Sequence, residues 1–270
     1  MTVNHPVPDA EGRRSAAALF LPEPERHDGE VARWHVEIDL DRHAEVRGHL
    51  VNGQPTVPTA TLVQIAAEAA VSFAPDLAPL RYTDLRLPRL LRAPAGRWPR
   101  RVEVTAARTG DEVRVRIEGP AAHGVPAVDH ARTTVHLGVP EWPEAEADHP
   151  PVDHRFTGYL LPGDALDSLL RKAATPESLA GVEVIDVPLP ADDRELARLL
   201  GPYLDLRRYS TEDGERYTAT AADGTVVVRL RGVRTASPDL TTLRRHRTGA
   251  RTPGRAGRRA RAVGRERDGG

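Results

Sequence analysis

Cysteine is absent from the chain, methionine occurs once, and Lys172 is the only lysine among 38 basic residues. Without thiols there is no disulfide, iron–sulfur cluster or thiolate zinc site, which accords with a reducing, cytoplasmic setting. No run approaches the roughly 20 apolar residues of a membrane-spanning helix, and Met1 to Ser15 lacks the apolar core of a secretion signal. The expectation is a cytoplasmic chain with no membrane partner. Also missing are GxxxxGKS/T, a GxGxxG following a strand, and GxSxG, so nothing supports nucleotide binding or serine hydrolysis. His35, His43, His123, His130, His136 and His154 show no HExxH or comparable ligand spacing, so no metal is assigned and no cofactor is expected.

What is present is unevenly charged. From Leu243 to Gly270 ten arginines stand against Glu266 and Asp268, a net charge of +8, which leaves −9 for residues 1–242 of a chain whose net charge is −1. This Arg-, Gly- and Ala-rich tail has little to bury, and disorder is expected from about residue 241 onward. No aromatics interleave its arginines and the acidic body carries no recognisable binding motif, which argues against a nucleic-acid partner.

Residues 1–30 are polar with Pro and Gly and are expected to run over the surface. Trp34 to Leu40 alternates as a strand does, and further strands are expected over Tyr82 to Leu91, Arg101 to Thr109, Glu112 to Glu118 and Arg132 to Val139. Thr109-Gly110-Asp111 marks a hairpin between the middle two. Pro140 to Val152, acidic and Pro-rich, reads as a linker. Beyond it Asp164 to Ala174 predicts a helix with Asp164 as N-cap and Leu166, Leu169 and Leu170 on one side. Strands are expected over Val182 to Pro188, Leu204 to Ser210, Arg216 to Ala221 and Thr225 to Val233. Asp213-Gly214 and Asp223-Gly224 mark their hairpins, and Asp192 to Leu200 reads as a short helix. Helix plus sheet thus occurs twice, without a residue-level repeat.

The most informative stretch runs from Arg47 to Ala70. Gly48, Asn52, Gly53, Pro55 and Pro58 punctuate its first half as irregular backbone, and Pro58 suits a position at or just before a helix start. Thr59 or Thr61 can cap that helix. Leu62, Ile65, Ala66, Ala69 and Phe73 recur at helical spacing and predict an apolar face. His49 therefore precedes a helix N-terminus, where free backbone N–H groups favour developing negative charge.

The spacing His49, Gly53, Pro58 resembles the HxxxGxxxxP motif of the dehydratase domains of modular polyketide synthases. In that family the His is the catalytic base and the next helix is the centre of a hot-dog fold. The resemblance implies an α+β double hot dog: two antiparallel sheets, each wrapped around a central helix. The expected organisation is a surface segment at 1–30, a first hot dog at 31–140, a linker at 141–153, a second hot dog at 154–240 and the tail at 241–270. Those domains usually read Pro-Gly where this chain has Pro58-Thr59, and Glu where Gln64 stands. In single-hot-dog fatty-acid dehydratases that Glu is the catalytic acid, so here the acid has to come from elsewhere.

In the family it comes from the second hot-dog helix, in a motif close to HPxLLDxxxQ. Pro162 to Arg171, PGDALDSLLR, is similar if Asp167 takes the acid's place, with Asp164 its rival. The His-Pro pair becomes Pro162-Gly163, the residue four past the Asp becomes Arg171, and the preceding Tyr-Gly-Pro is echoed only by Gly158-Tyr159. Arg171 lies on the same helix face as Asp167 and can pair with it.

The resemblance implies a free-standing dehydratase of polyketide biosynthesis acting on an acyl chain tethered to an acyl carrier protein. Loss of water from a β-hydroxyacyl thioester needs a base for the α-proton and an acid for the departing hydroxyl; His49 and Asp167 take those roles. Backbone N–H groups around Pro58 to Ala60 hold the thioester oxygen, each donor contributing about 3 kcal/mol. Gly53, Pro58, Thr59 and Arg171 are the substrate-binding candidates. The alternatives are a dehydratase-like isomerase or oxygen-ring-forming cyclase using the same pair, and a non-catalytic scaffold of a synthase. Whether two chains pair as a homodimer stays open.

Overall fold

The computed structural model describes residues 20–92, 97–120, 126–139, 156–159, 162–188 and 203–236. Its first half contains β1 (Arg26–His27), β2 (Val31–Ile38), α1 (Ala44–Gly48), β3 (Leu50–Val51), β4 (Gln54–Pro55), α2 (Thr59–Val71), β5 (Ala78–Arg86), β6 (Arg100–Thr109), β7 (Glu112–Gly119) and β8 (Val128–Gly138). The second half contains β9 (Phe156–Tyr159), α3 (Pro162–Ala173), β10 (Leu179–Asp186), β11 (Tyr203–Thr211), β12 (Gly214–Thr220) and β13 (Val226–Thr235).

Strict alternation makes the strands. On β2, Ala32, Trp34, Val36 and Ile38 are buried while their neighbours are exposed. Val102, Val104 and Ala106 on β6 and Val113, Val115 and Ile117 on β7 bury the same face. β6 and β7 contact α2, nine of whose thirteen residues are buried, so apolar surface wraps most of the helix rather than one stripe. Burial of that breadth is expected of a helix enclosed by a sheet. Phe73, expected on the helix, lies just past its end and packs against the core half-buried.

The second half repeats the arrangement with an amphipathic helix. Ala165, Leu166, Leu169 and Leu170 of α3 are buried, the helix contacts β11, β12 and β13, and Asp167 and Ser168 are half-buried while Arg171 is exposed. Full burial of a side chain such as Leu169 contributes about 1.5–3 kcal/mol. The helix begins at Pro162, so Asp164 lies inside it instead of capping it. Proline suits this first position because an initial helical N–H has no intrahelical partner.

The two expected sheets are joined into one. Among the described residues eleven strands run in the order β1-β2-β6-β7-β8-β5-β10-β13-β12-β11-β9, with neighbours paired antiparallel. The seam is β5 against β10, with Leu85 opposite Val182 and Tyr82 opposite Ile185. Gly181 is required there, because a Cβ would lie 2.2 Å from the Leu85 carbonyl oxygen. Asp186, largely buried at the same seam, is held by Arg81 at 2.6 Å and Arg231 at 3.3 Å.

Several expectations shift in register. The strand placed over 82–91 runs instead from Ala78 to Arg86; Pro88 has no N–H to offer a ladder. Strand pairing begins earlier than expected, at β1, and the four-residue β9 was not anticipated. The hairpin turns at Gly110, Gly214 and Gly224 fall where the Gly-containing pairs put them, all three with positive φ. The linker at 141–153, the helix expected over 192–200 and the tail lie outside the described residues. No described helix is long and apolar enough to cross a membrane.

Candidate active site

His49 is carried by a two-strand ribbon, β3 against β4, that closes through Asn52 and Gly53. Both have positive φ, 53° and 73°, the conformation of the type I′ hairpin that Asn-Gly favours. Gly53 is exposed and a Cβ on it would touch nothing within 4 Å, so its requirement is conformational. Within the ribbon Thr56 N–H donates to the His49 carbonyl at 3.0 Å. The ring answers in the other direction: Nδ1 lies 2.9 Å from the Thr56 carbonyl oxygen. A carbonyl only accepts, so Nδ1 carries a proton, and in the neutral tautomer Nε2 is the nitrogen left to accept. His49 is 7% exposed, and these bonds hold it in one orientation.

Two residues beyond Thr56 the chain enters α2. Pro58 is the N-cap, with φ −58° and ψ 148° and no side-chain cap bond. The caps expected at Thr59 or Thr61 are not used, since both lie within the helix. The helix ladder begins with Leu62 N–H donating to the Pro58 carbonyl at 3.3 Å. The N–H groups of Thr59, Ala60 and Thr61 have no intrahelical acceptor by helix geometry, so the helix start offers donors and the positive end of its dipole. Pro58 is buried and Thr59 half-buried.

Asp167 stands on α3 with its side chain 19% exposed, and Arg171 Nε lies 2.7 Å from its Oδ2. The structure thus brings together one expected pair, Asp167 and Arg171. His49 and Asp167 belong to different hot dogs, whose helices α2 and α3 contact each other; no hydrogen bond joins the two residues among the described contacts.

Gln64 faces solvent and donates to Glu68 Oε1 at 3.1 Å. Glu68 Oε2 in turn accepts from the backbone N–H groups of Phe20 and Leu21, each at 3.0 Å. The exchange of Glu for Gln at position 64 therefore falls on the outer side of the helix. Sequence reasoning missed the partner that orients His49, because the Thr56 group involved is a backbone carbonyl. The Asn-Gly pair was the available signal that a tight hairpin would bring it there. No group of three or more His, Asp or Glu is gathered as a metal site would need among the described residues.

Residues 22–119 match the family described as polyketide synthase dehydratase domain. The fold is that of a polyketide synthase dehydratase domain. The dehydratase domain from the CurF module of curacin polyketide synthase is 16% identical, with a TM-score of 0.59 over 82% of this chain and 99% of that one. That of a mycocerosic acid synthase-like polyketide synthase is also 16% identical, with a TM-score of 0.58 over 87% and 99%. An inactive Asp-to-Asn variant of the CurK dehydratase superposes with a TM-score of 0.61 at 10% identity over 82% and 99%, and a His-to-Phe variant of that domain is inactive too. A comparison with curated protein sequences found no match. The dehydratase double hot dog thus extends across both halves of the described chain.

Proposed function

We propose that the chain eliminates water from a β-hydroxyacyl thioester carried on an acyl carrier protein, with His49 as base and Asp167 as acid. The observation that carries this reading is the bond from His49 Nδ1 to the Thr56 carbonyl, which leaves Nε2 able to accept a proton. Nε2 takes the α-proton, the bond from the β-carbon to oxygen breaks, and the Asp167 carboxyl group protonates the departing hydroxyl to give water. The N–H groups of Thr59, Ala60 and Thr61, which have no intrahelical acceptor, stabilise the thioester oxygen as charge develops on it. Pro58 and Thr59 shape that end of the helix, and Gly53 holds the hairpin turn. The inactive His and Asp variants of the CurK domain support the same pair here.

A second reading is supported by the Asp167–Arg171 ion pair. Arg171 holds the Asp167 carboxylate from one helical turn away, and the same His/Asp pair could move protons between carbons, as an isomerase or oxygen-ring-forming cyclase does. Product mass separates the two. A β-hydroxyacyl pantetheine or carrier-protein conjugate is expected to lose the mass of one water and gain conjugated-enoyl absorbance. Isobaric conversion, surviving in Asp167→Asn, would favour the second reading. Tight carrier-protein binding without conversion would point to a scaffold.

A further inference from the structure

Under the loop that follows β5 lies a histidine the proposed chemistry does not use. His130, on β8, is 4% exposed and sits beside the shift in β7–β8 register between Ile117 and Glu118. Its Nδ1 lies 3.2 Å from the Arg89 carbonyl oxygen. The acceptor is a carbonyl, so Nδ1 is the protonated nitrogen. Among the described residues Nε2 is buried without a hydrogen-bond partner. Gly119 leaves room for it, since a Cβ there would stand 3.2 Å from Nε2. Burial is the main influence disfavouring the charged ring; the bond to the Arg89 carbonyl opposes it, and the cations Arg100 and Arg89 add smaller contributions in the same direction as burial.

An apolar side chain could fill this space without burying an unmatched acceptor, which is unfavourable. What histidine adds is the bond to Arg89. Two residues further on, the Leu91 carbonyl accepts the Val57 N–H at 2.9 Å, and Arg92 forms an antiparallel bridge with Thr56. Thr56 is the residue whose carbonyl orients His49. A short run of backbone contacts therefore connects the buried ring to the hairpin.

We propose that His130 is a positioning residue for His49: it pins segment 89–92, which braces the Thr56 carbonyl that sets the His49 ring. This rests on the reading of His49 as base, but its geometry can be measured without turnover. The test uses the full chain with His130→Phe, which keeps a ring and loses the donor, and His130→Asn, which keeps a donor near Nδ1. Nitrogen-15 NMR reads the His49 tautomer, and hydrogen exchange reads the Val57 amide. In His130→Phe, His49 is expected to leave the single Nδ1–H tautomer and Val57 to lose about tenfold in protection, with Asn restoring both. Turnover is expected to fall about tenfold at little-changed KM in the Phe variant. If His130→Phe does not fold, Gly119→Ala crowds the same ring and is expected to weaken Val57 protection.

An unchanged His49 tautomer and unchanged Val57 protection in folded His130→Phe, or unchanged protection in Gly119→Ala where Phe does not fold, would overturn the proposal. Full activity of His49→Ala would instead overturn the catalytic reading and leave the positioning measurement standing.

Discussion

Arg171 Nε sits 2.7 Å from Oδ2 of Asp167, one helical turn further along α3. The arginine side chain is 55% exposed and the aspartate 19%, so the pair resembles an exposed i,i+4 ion pair and contributes only about 0.3–0.5 kcal/mol. Opening it when substrate arrives is therefore inexpensive.

If the pair restrains the acid in dehydration, Arg171→Met should raise turnover while stability changes by less than about 0.5 kcal/mol. Steady-state kinetics and a thermal melt check the two halves. A large rise in KM with kcat unchanged would assign Arg171 to substrate binding instead.

His49→Ala should abolish turnover, and Asp167→Asn should lower it by at least about 10²-fold, the usual loss for a general acid or base. Stability should respond differently in the two. Asp167→Asn should melt close to the parent. His49→Ala removes a buried donor to Thr56 and should cost about 1–3 kcal/mol by denaturant titration. Retained activity in His49→Ala would refute the assignment of the base.

Gly53→Val tests the hairpin. At φ 73° a side chain in the left-handed region costs roughly 1–2 kcal/mol, more for a β-branched residue. The cost falls on the ribbon that carries His49, so activity should drop further than the melting point alone implies. Rate and melt measured on one preparation decide it.

Acid should weaken the fold through His130. Its pKa is held below the ordinary value of 6.5, mainly by burial, so between 6.5 and its lower folded value the unfolded chain binds the extra proton. Stability supplied by the neutral ring is therefore complete above pH 6.5 and is lost as pH falls toward the folded pKa. Denaturant titrations across that range should show the loss in the parent and a smaller one in His130→Asn.

Much of the architecture was readable because it is local. Alternation on β2, β6 and β7 follows from the two-residue period of a strand, and the Asp-Gly and Gly-Asp pairs marked hairpins through the positive φ that glycine permits. The helix after Pro58 was legible from apolar spacing, and the family resemblance put His49 and Asp167 forward as candidates. Position within an element was less legible. The wrap-around burial of α2, the early start of α3 at Pro162 and the short strand β9 depend on what packs against each segment.

Residue types by themselves determined that thiol chemistry is excluded, that two helix-plus-sheet units follow one another, and that His49 precedes a helix start. Only the tertiary structure decided that β5 and β10 join both units into one sheet, because any strand with a free edge could have served until the chain closed on itself. It alone also decided which nitrogen of His49 accepts. That choice belongs to the Thr56 carbonyl, and every residue has a carbonyl, so no side-chain pattern can announce which one a histidine will meet.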